Sequence, residues 1–351
     1  MNRNLILVLL FFSASFQMVN AQNLITQVRP SGSKTWGYAN IKGEIVITAQ
    51  FEKCYKFGSD GYATIYDTKQ RQYYFINTKG EKLITEISSF KLRDGFGFDV
   101  SGFNDGLIPV KIGEKWGYLS NTGKVAIQAK YDEASDFDGG FGVVKSGANY
   151  WVVNTNGVEF GVTAPGALEV KPFSEGLAPY RGPDKTFGYI GTDGKVAIQS
   201  KFESVGYFRG GLAWAKTPDK KVGYINPKGD WVIQPTFEAG KDFDPESGLA
   251  RIKNGDKWAY VNRTGEIMYV MITEKWGDFS NGLAEGKMGG KVGFFDTKGQ
   301  WAIPPQFDGS RDFKNGYAAA KQGDKWGMID KTGKWVVQPY FEGIKDMELV
   351  Q

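Results

Sequence analysis

The sequence predicts an all-β protein built from tandem three-strand β-meander repeats, and three observations carry that prediction. An aromatic-Gly-aromatic type of strand opening recurs at Trp36, Trp116, Phe187, Val222, Val292 and Trp326, with weaker copies at Tyr73, Tyr150 and Trp258, and the nine start points are spaced by 34 to 43 residues. A fixed period of this size marks units that complete one another's core. The composition, with 47 Gly, 10 Trp, 17 Tyr and 25 Phe among 351 residues, favours short strands and tight turns. No stretch sustains a helical period.

The first 21 residues stand outside the repeats. Arg3 gives a positive start, Leu5 to Phe12 an apolar run, and Val19-Asn20-Ala21 a small-residue cleavage pattern. Together they read as a secretory signal peptide, cleaved after Ala21, and the run is too short for a bilayer, which needs roughly 20 apolar residues. The expectation is a periplasmic or secreted protein whose residues 22–351 form a single repeat domain of about nine units.

The copy at Lys221 shows the elements in order. Val222, Tyr224 and Asn226 alternate with Gly223 and Ile225 as one strand, and Trp231 to Ile233 opens a second. Between them Asn226 stands three residues before Gly229, as Asn40 does before Gly43, Asn77 before Gly80, Asn154 before Gly157, Asn262 before Gly265, Asp296 before Gly299 and Asp330 before Gly333. An Asx side chain bonds the backbone two residues on, and Gly accepts the positive φ that closes the turn. A further strand follows Phe-x-x-Gly-Leu-Ala, clearest at Phe173, Phe208 and Phe279, and a polar turn such as Asn254-Gly255-Asp256 leads into the next copy.

Lys-Trp-Gly-Tyr, Asn/Asp-x-x-Gly, Val-Ile-x-Pro-x-Phe-Asp/Glu and Phe-x-x-Gly-Leu-Ala together resemble the bacterial WG-repeat family, also called KWG repeats, over nearly the whole chain after the leader. The resemblance implies a β-rich repeat protein and no defined activity. Copies two, four and seven depart from it: Tyr74, Trp151 and Ala259 replace the Gly, and the Val-Ile-x-Pro segment is lost. At the ends, Leu24 to Arg29 align with the strand before Val222, while the last copy stops soon after Phe341-Glu342. One end has a spare strand and the other lacks one, as a closed propeller-like ring needs. Nine units of three strands nevertheless exceed the usual blade count and fall short of the usual strand count, so an open solenoid is the expected arrangement and the ring its alternative.

The chemistry is mainly one of exclusions. The chain has no His and one Cys, so imidazole-based catalysis, thiolate metal sites and an internal disulfide framework lack their parts. A net charge of +4, with Lys scattered at one repeat phase, gives no nucleic-acid footprint. No catalytic, cofactor or metal residues are assigned, and no cofactor is expected. Glu52, Asp132, Glu203, Glu238, Asp308 and Glu342 recur after the repeat Phe or Tyr and are read as acids that bond the next turn. Cys54 shares its phase with Ala134 and Val205 and is read as a packing residue.

Aromatics outside the repeat phases, Trp151, Trp214 and Trp276, are the candidate ligand-binding residues, because aromatic faces suit sugars and protein hot spots. Arg93 and Asp94 join them, in an insertion from Glu86 to Gly102 that fits a loop grafted on one rim. The function expected is an exported, non-catalytic scaffold binding an unknown protein or glycan in the cell envelope. The alternative is a carbohydrate-active enzyme using non-repeat carboxylates such as Asp94 or Asp99.

Overall fold

The computed structural model describes residues 24–93, 100, 102–270 and 273–350. The leader, with its cleavage site after Ala21, and the residues Asp94, Phe96 and Asp99 lie outside them. Among the described residues there is no helix, and the strands form nine antiparallel sheets in chain order.

Each regular sheet has four strands rather than three. In the sixth they are Ser204–Val205, Ala213–Lys216, Val222–Ile225 and Trp231–Phe237, paired in that order. The sequence reading took the repeat Phe and its acid as the end of a unit. In fact the chain crosses there to the next sheet and opens it with a two-residue strand, too short to leave a periodic trace.

The ends decide the architecture. Leu24–Arg29 pairs with Trp36–Asn40 on one side and with Gly343–Ile344 on the other, in the register Val28↔Ile344 and Arg29↔Gly343, and Glu348–Leu349 adds to its start. The C-terminal segment thus supplies the first strand of the first sheet, and the repeats close into a ring, a nine-bladed β-propeller. The open solenoid expected from the count is not formed. Closure pairs both terminal edges, which an open array would leave to other chains.

The family signature has a steric cause. In blade 6 the register runs Val222↔Phe237 but Tyr224↔Ile233, so two residues of the third strand face four of the fourth, which bulges across Gly223. A Cβ on Gly223 would stand 2.4 Å from the Ile233 carbonyl oxygen and 2.7 Å from the Pro235 nitrogen. Gly37, Gly117, Gly188, Gly293 and Gly327 meet the same carbonyl at 2.3 to 2.5 Å. Where the Gly is lost, so is the bulged strand. Blade 2, with Tyr74, keeps only the bridge Ile76↔Lys82 outside its third strand, and blade 7, with Ala259, only Ile267–Met268. Blade 4 exchanges the pair: Trp151 faces Gly161 in an unbroken ladder, and a Cβ on Gly161 would stand 3.3 Å from the indole.

Blades lock to one another through the second aromatic of the signature. The hydroxyls of the buried Tyr38, Tyr118, Tyr189, Tyr224 and Tyr260 each donate to a backbone carbonyl 17 residues on, in or just after the first strand of the next blade, at 2.8 to 2.9 Å. Their rings pack against Phe57, Phe137, Phe208, Phe243 and Phe279 with centroids 4.7 to 4.9 Å apart. The core therefore sits between blades rather than within one, which is why single repeats cannot stand alone.

The insertion in copy two is only partly a loop. Lys91 bridges Lys111 and supplies the first strand of blade 3, and Phe90, Leu92, Val100 and Phe103 are buried beneath it.

Candidate functional site

Strand alternation assigns the connections to two faces. Turns joining first to second and third to fourth strands lie on one face, where Lys331 of blade 9 pairs with Glu246 of blade 7. Hairpins joining second to third strands, and the crossovers between blades, lie on the other. The repeat acids belong to this second face and are consumed by it. Asp132 accepts from the Gly147 N–H at 2.7 Å and pairs with Lys115 at 2.5 Å. Glu238 accepts from Gly255 at 2.6 Å and pairs with Lys221 at 2.7 Å, and Asp308 does the same with Gly323 and Lys291. The lysines first, and then the hairpin N–H groups, hold these three carboxyls below the usual range.

A second acid phase escaped the sequence reading. Asp136, Asp242, Asp278, Asp312 and Asp346 each precede the residue that packs on the signature ring, and the recurring Asp-Phe pair was the signal for it. They lie within or just beyond the first strands of their blades, and Asp346 joins Lys56 and Arg311, from blades 1, 2 and 9, around one cavity. Asp278 pairs with Arg251 at 2.8 Å, Asp346 with Arg311, and Asp242 with Arg209 at 3.6 Å. Burial raises the Asp242 carboxyl above its usual range, and Arg209 opposes the shift.

Among the described residues, four clefts open on the hairpin-and-crossover face. One of about 590 Å³ reaches from Arg93 through Lys145 and Tyr150 of blade 4 to Glu169 and Lys171 of blade 5. Another, of about 340 Å³, lies at the ring closure around Trp36, Lys56 and Asp346. The remaining two flank the irregular blades 4 and 7 and share a cause. In six blades a buried aromatic closes the outer strand: Phe51, Tyr131, Phe202, Phe237, Phe307 or Phe341, each 8% exposed or less. The next residue donates its N–H to the second strand of the following blade, as Glu238 does to Lys253 at 2.9 Å. By that bond Leu168, donating to Arg181, and Glu274, donating to Lys287, mark the same position in blades 4 and 7. The closing residue there is Ala167 or Thr273. Beside Ala167 lies a cleft of about 250 Å³ against Trp151, and beside Thr273 a groove of about 660 Å³ lined by Asp256, Lys257, Trp258, Tyr269, Val270 and Trp276.

The groove beside blade 7 is the most fully built of the four. Arg251 lies 4.9 Å over the Trp258 ring, pairs with Asp278 and donates to the Trp276 carbonyl. Trp276 also packs on Tyr260 at 5.5 Å, and Asn254 donates to the Tyr269 hydroxyl at 2.9 Å. Of the residues singled out from sequence, Trp276, Trp151 and Arg93 line clefts: those of Arg93 and Trp151 share Tyr150 of blade 4, and that of Trp276 lies beside blade 7. Trp214 is half-buried in the core between blades 6 and 7, its indole beside the Asp242 carboxylate over Gly206. Asp94 lies outside the described residues. Trp258 and Tyr269 were missed, the first because it sits at a repeat phase.

The WG containing repeat family matches residues 36–66, 99–116, 116–150, 187–220, 223–258, 293–326 and 326–348, more than half of the sequence. The chain belongs to the WG-repeat family. No curated protein matches this WG-repeat chain. Among solved structures, one titled as the eukaryotic initiation factor superposes with a TM-score of 0.61 at 12% identity, over 93% of this chain and 98% of that one. Citrobacter koseri AztD gives 0.43 at 11% identity, covering 93% and 97%, and the dihydro-heme d1 dehydrogenase NirN 0.44 at 11%, covering 94% and 76%. At such identities the first likeness is one of fold alone. Among the described residues of this WG-repeat ring no group of three or more acids or Cys is placed to hold a metal, and no helix is long and apolar enough to cross a membrane.

Proposed function

We propose that this WG-repeat propeller is an exported, non-catalytic scaffold that binds a protein or glycan in the cell envelope across its hairpin-and-crossover face. The observation that carries the reading is the pairing of broken repeats with open clefts: blades 4 and 7 lack the closing aromatic, and each leaves a Trp-lined opening on that face. The repeat acids Asp132, Glu238 and Asp308 are bonded to hairpin backbone and lysines. The test is partner capture by the intact protein, with the face altered by Trp151→Ala, Trp276→Ala and Arg93→Ala. A partner bound equally by all three variants speaks against this face. Amino-terminal sequencing of the envelope fraction tests export, with Gln22 expected first.

A carbohydrate-active enzyme is the second reading, favoured by one juxtaposition: the Asp242 carboxyl and the Trp214 indole meet over Gly206, where burial raises the carboxyl. Release of reducing sugar ends by the intact protein, abolished by Asp242→Asn, would replace the scaffold reading.

A further inference from the structure

We infer that the groove between blades 7 and 8 binds one neutral pyranose ring of a glycan, stacked on Trp258 and Trp276. The inference rests on the binding reading above and names the ligand class for one of its clefts. The groove exists because one side chain is missing. In blades 6 and 9 the residue at the Trp258 position, Val222 or Trp326, faces a buried Phe237 or Phe341 across the bulge. In blade 7 that place belongs to Thr273, whose hydroxyl is turned to the backbone: it donates to the Lys287 carbonyl at 3.3 Å and accepts from the Lys287 and Lys275 N–H groups at 3.0 and 3.1 Å. A polar side chain tied to backbone does not refill the volume of a phenyl ring. The groove that opens there holds about 660 Å³, within the roughly 300–1,000 Å³ of small-ligand sites.

The lining then selects the chemistry. Three aromatic side chains form the walls, and each is held before a ligand arrives: Trp258 under Arg251, Trp276 against Tyr260, and Tyr269 by Asn254. Such fixed rings offer flat apolar area with little ordering left to do. Around them stand one acid and one base of the hairpin, Asp256 and Lys257, and beneath them Arg251 is neutralised by Asp278 at 2.8 Å. The charges cancel, so an anionic glycan or a charged peptide gains nothing here over a neutral ligand. A pyranose matches both halves of the site. Its C–H face covers an indole, and its hydroxyls accept from Lys257 and donate to Asp256.

The experiment uses the mature chain from Gln22 and neutral oligosaccharides of the cello, malto, manno and N-acetylchito series, titrated by calorimetry and tryptophan fluorescence, with polygalacturonate as the anionic control. One neutral series is expected to bind. Trp276→Ala should weaken it by about tenfold or more, the size of one lost aromatic contact. Thr273→Phe restores the residue other blades carry, so it should keep or raise the melting temperature while weakening binding to a similar degree. Three results would overturn the inference: no neutral series binding at about 10 mM, binding of the anionic control alone, or a neutral ligand unaffected by both variants. If the oligosaccharides fail while a protein partner still depends on Trp151 or Arg93, the scaffold reading survives and this inference does not.

Discussion

Replacing Gly223 by Ala adds one carbon atom at the point where the structure has least room. The new Cβ would lie 2.4 Å from the Ile233 oxygen, 2.7 Å from the Pro235 nitrogen and 2.9 Å from the Gln234 carbonyl carbon. Comfortable heavy-atom contacts begin near roughly 3.5 Å, and all three neighbours are backbone, so no rotamer change relieves the overlap. Either the bulge lifts off, or the blade gives up the pairing of Val222 with Phe237. Overpacking of this kind costs about 1–3 kcal/mol, while the smaller conformational freedom of Ala in the unfolded chain returns about 0.4–1 kcal/mol. For a chain of 351 residues, at about 2 cal/mol/K per residue, a change of 1 kcal/mol moves the melting temperature by roughly 1.5 °C. The expected shift for Gly223→Ala is therefore a fall of up to roughly 4 °C, with faster amide exchange confined to Trp231–Phe237 and its neighbours. Scanning calorimetry and hydrogen exchange read the two effects. Ala259→Gly in blade 7, where no bulged strand lies opposite, should yield no compensating gain and no change in blade 6. A melting temperature for Gly223→Ala above that of the parent, or amide exchange unchanged over Trp231–Phe237, would refute the steric account of the signature.

Tyr224→Phe removes the hydroxyl that donates to the part-buried Lys241 carbonyl at 2.9 Å; a loss of about 0.5–1.5 kcal/mol is expected in denaturant titration. Phe294 and Met328, which hold the same position naturally, show that the ring itself tolerates the change at single sites. Removing residues 342–351 deletes the strand that pairs Val28 and Arg29 and opens two sheet edges, so size-exclusion chromatography should show self-association that the full chain lacks. The carboxyls of Asp132, Glu203, Glu238, Asp308 and Glu342 are held below their ordinary range, the first four chiefly by lysines and Glu342 chiefly by the Gly32 N–H. A depressed acid contributes stability above its unfolded pKa, about 4, and loses it as pH falls through the folded value. Melting temperatures should thus hold between neutrality and pH 5 and drop below about pH 4, less steeply in high salt. A flat profile down to pH 3 would count against the acid-to-hairpin bonds.

Much of the blade was legible before any coordinates. Asn226 and Gly229 announce a turn because their backbone demands are local, and Val222-Gly223-Tyr224 announces a strand because alternation is local. The same logic failed at Phe237-Glu238-Ala239-Gly240, where one strand ends and a two-residue strand opens the next blade. Two residues carry no period, so three strands were seen where four exist. Trp151 and Trp276 were marked by breaking the phase, and both line clefts. Trp258 obeys the phase and reads as core; the groove it lines opens where Thr273, fifteen residues away in sequence, stands in place of the closing aromatic, a relation that exists only once the chain has folded back.

The sequence alone determined the all-β class, the nine units, the turns and the family, since each depends on backbone preferences and spacing within a few dozen residues. Only the tertiary structure decided that the units close. Closure depends on the rotation accumulated over nine blade interfaces and on whether Leu24–Arg29 then meets Gly343–Ile344, a coincidence of two segments over 310 residues apart. The groove likewise belongs to the assembled ring, because a missing phenyl group becomes a cavity only when the next blade, carrying Trp276, forms its other wall.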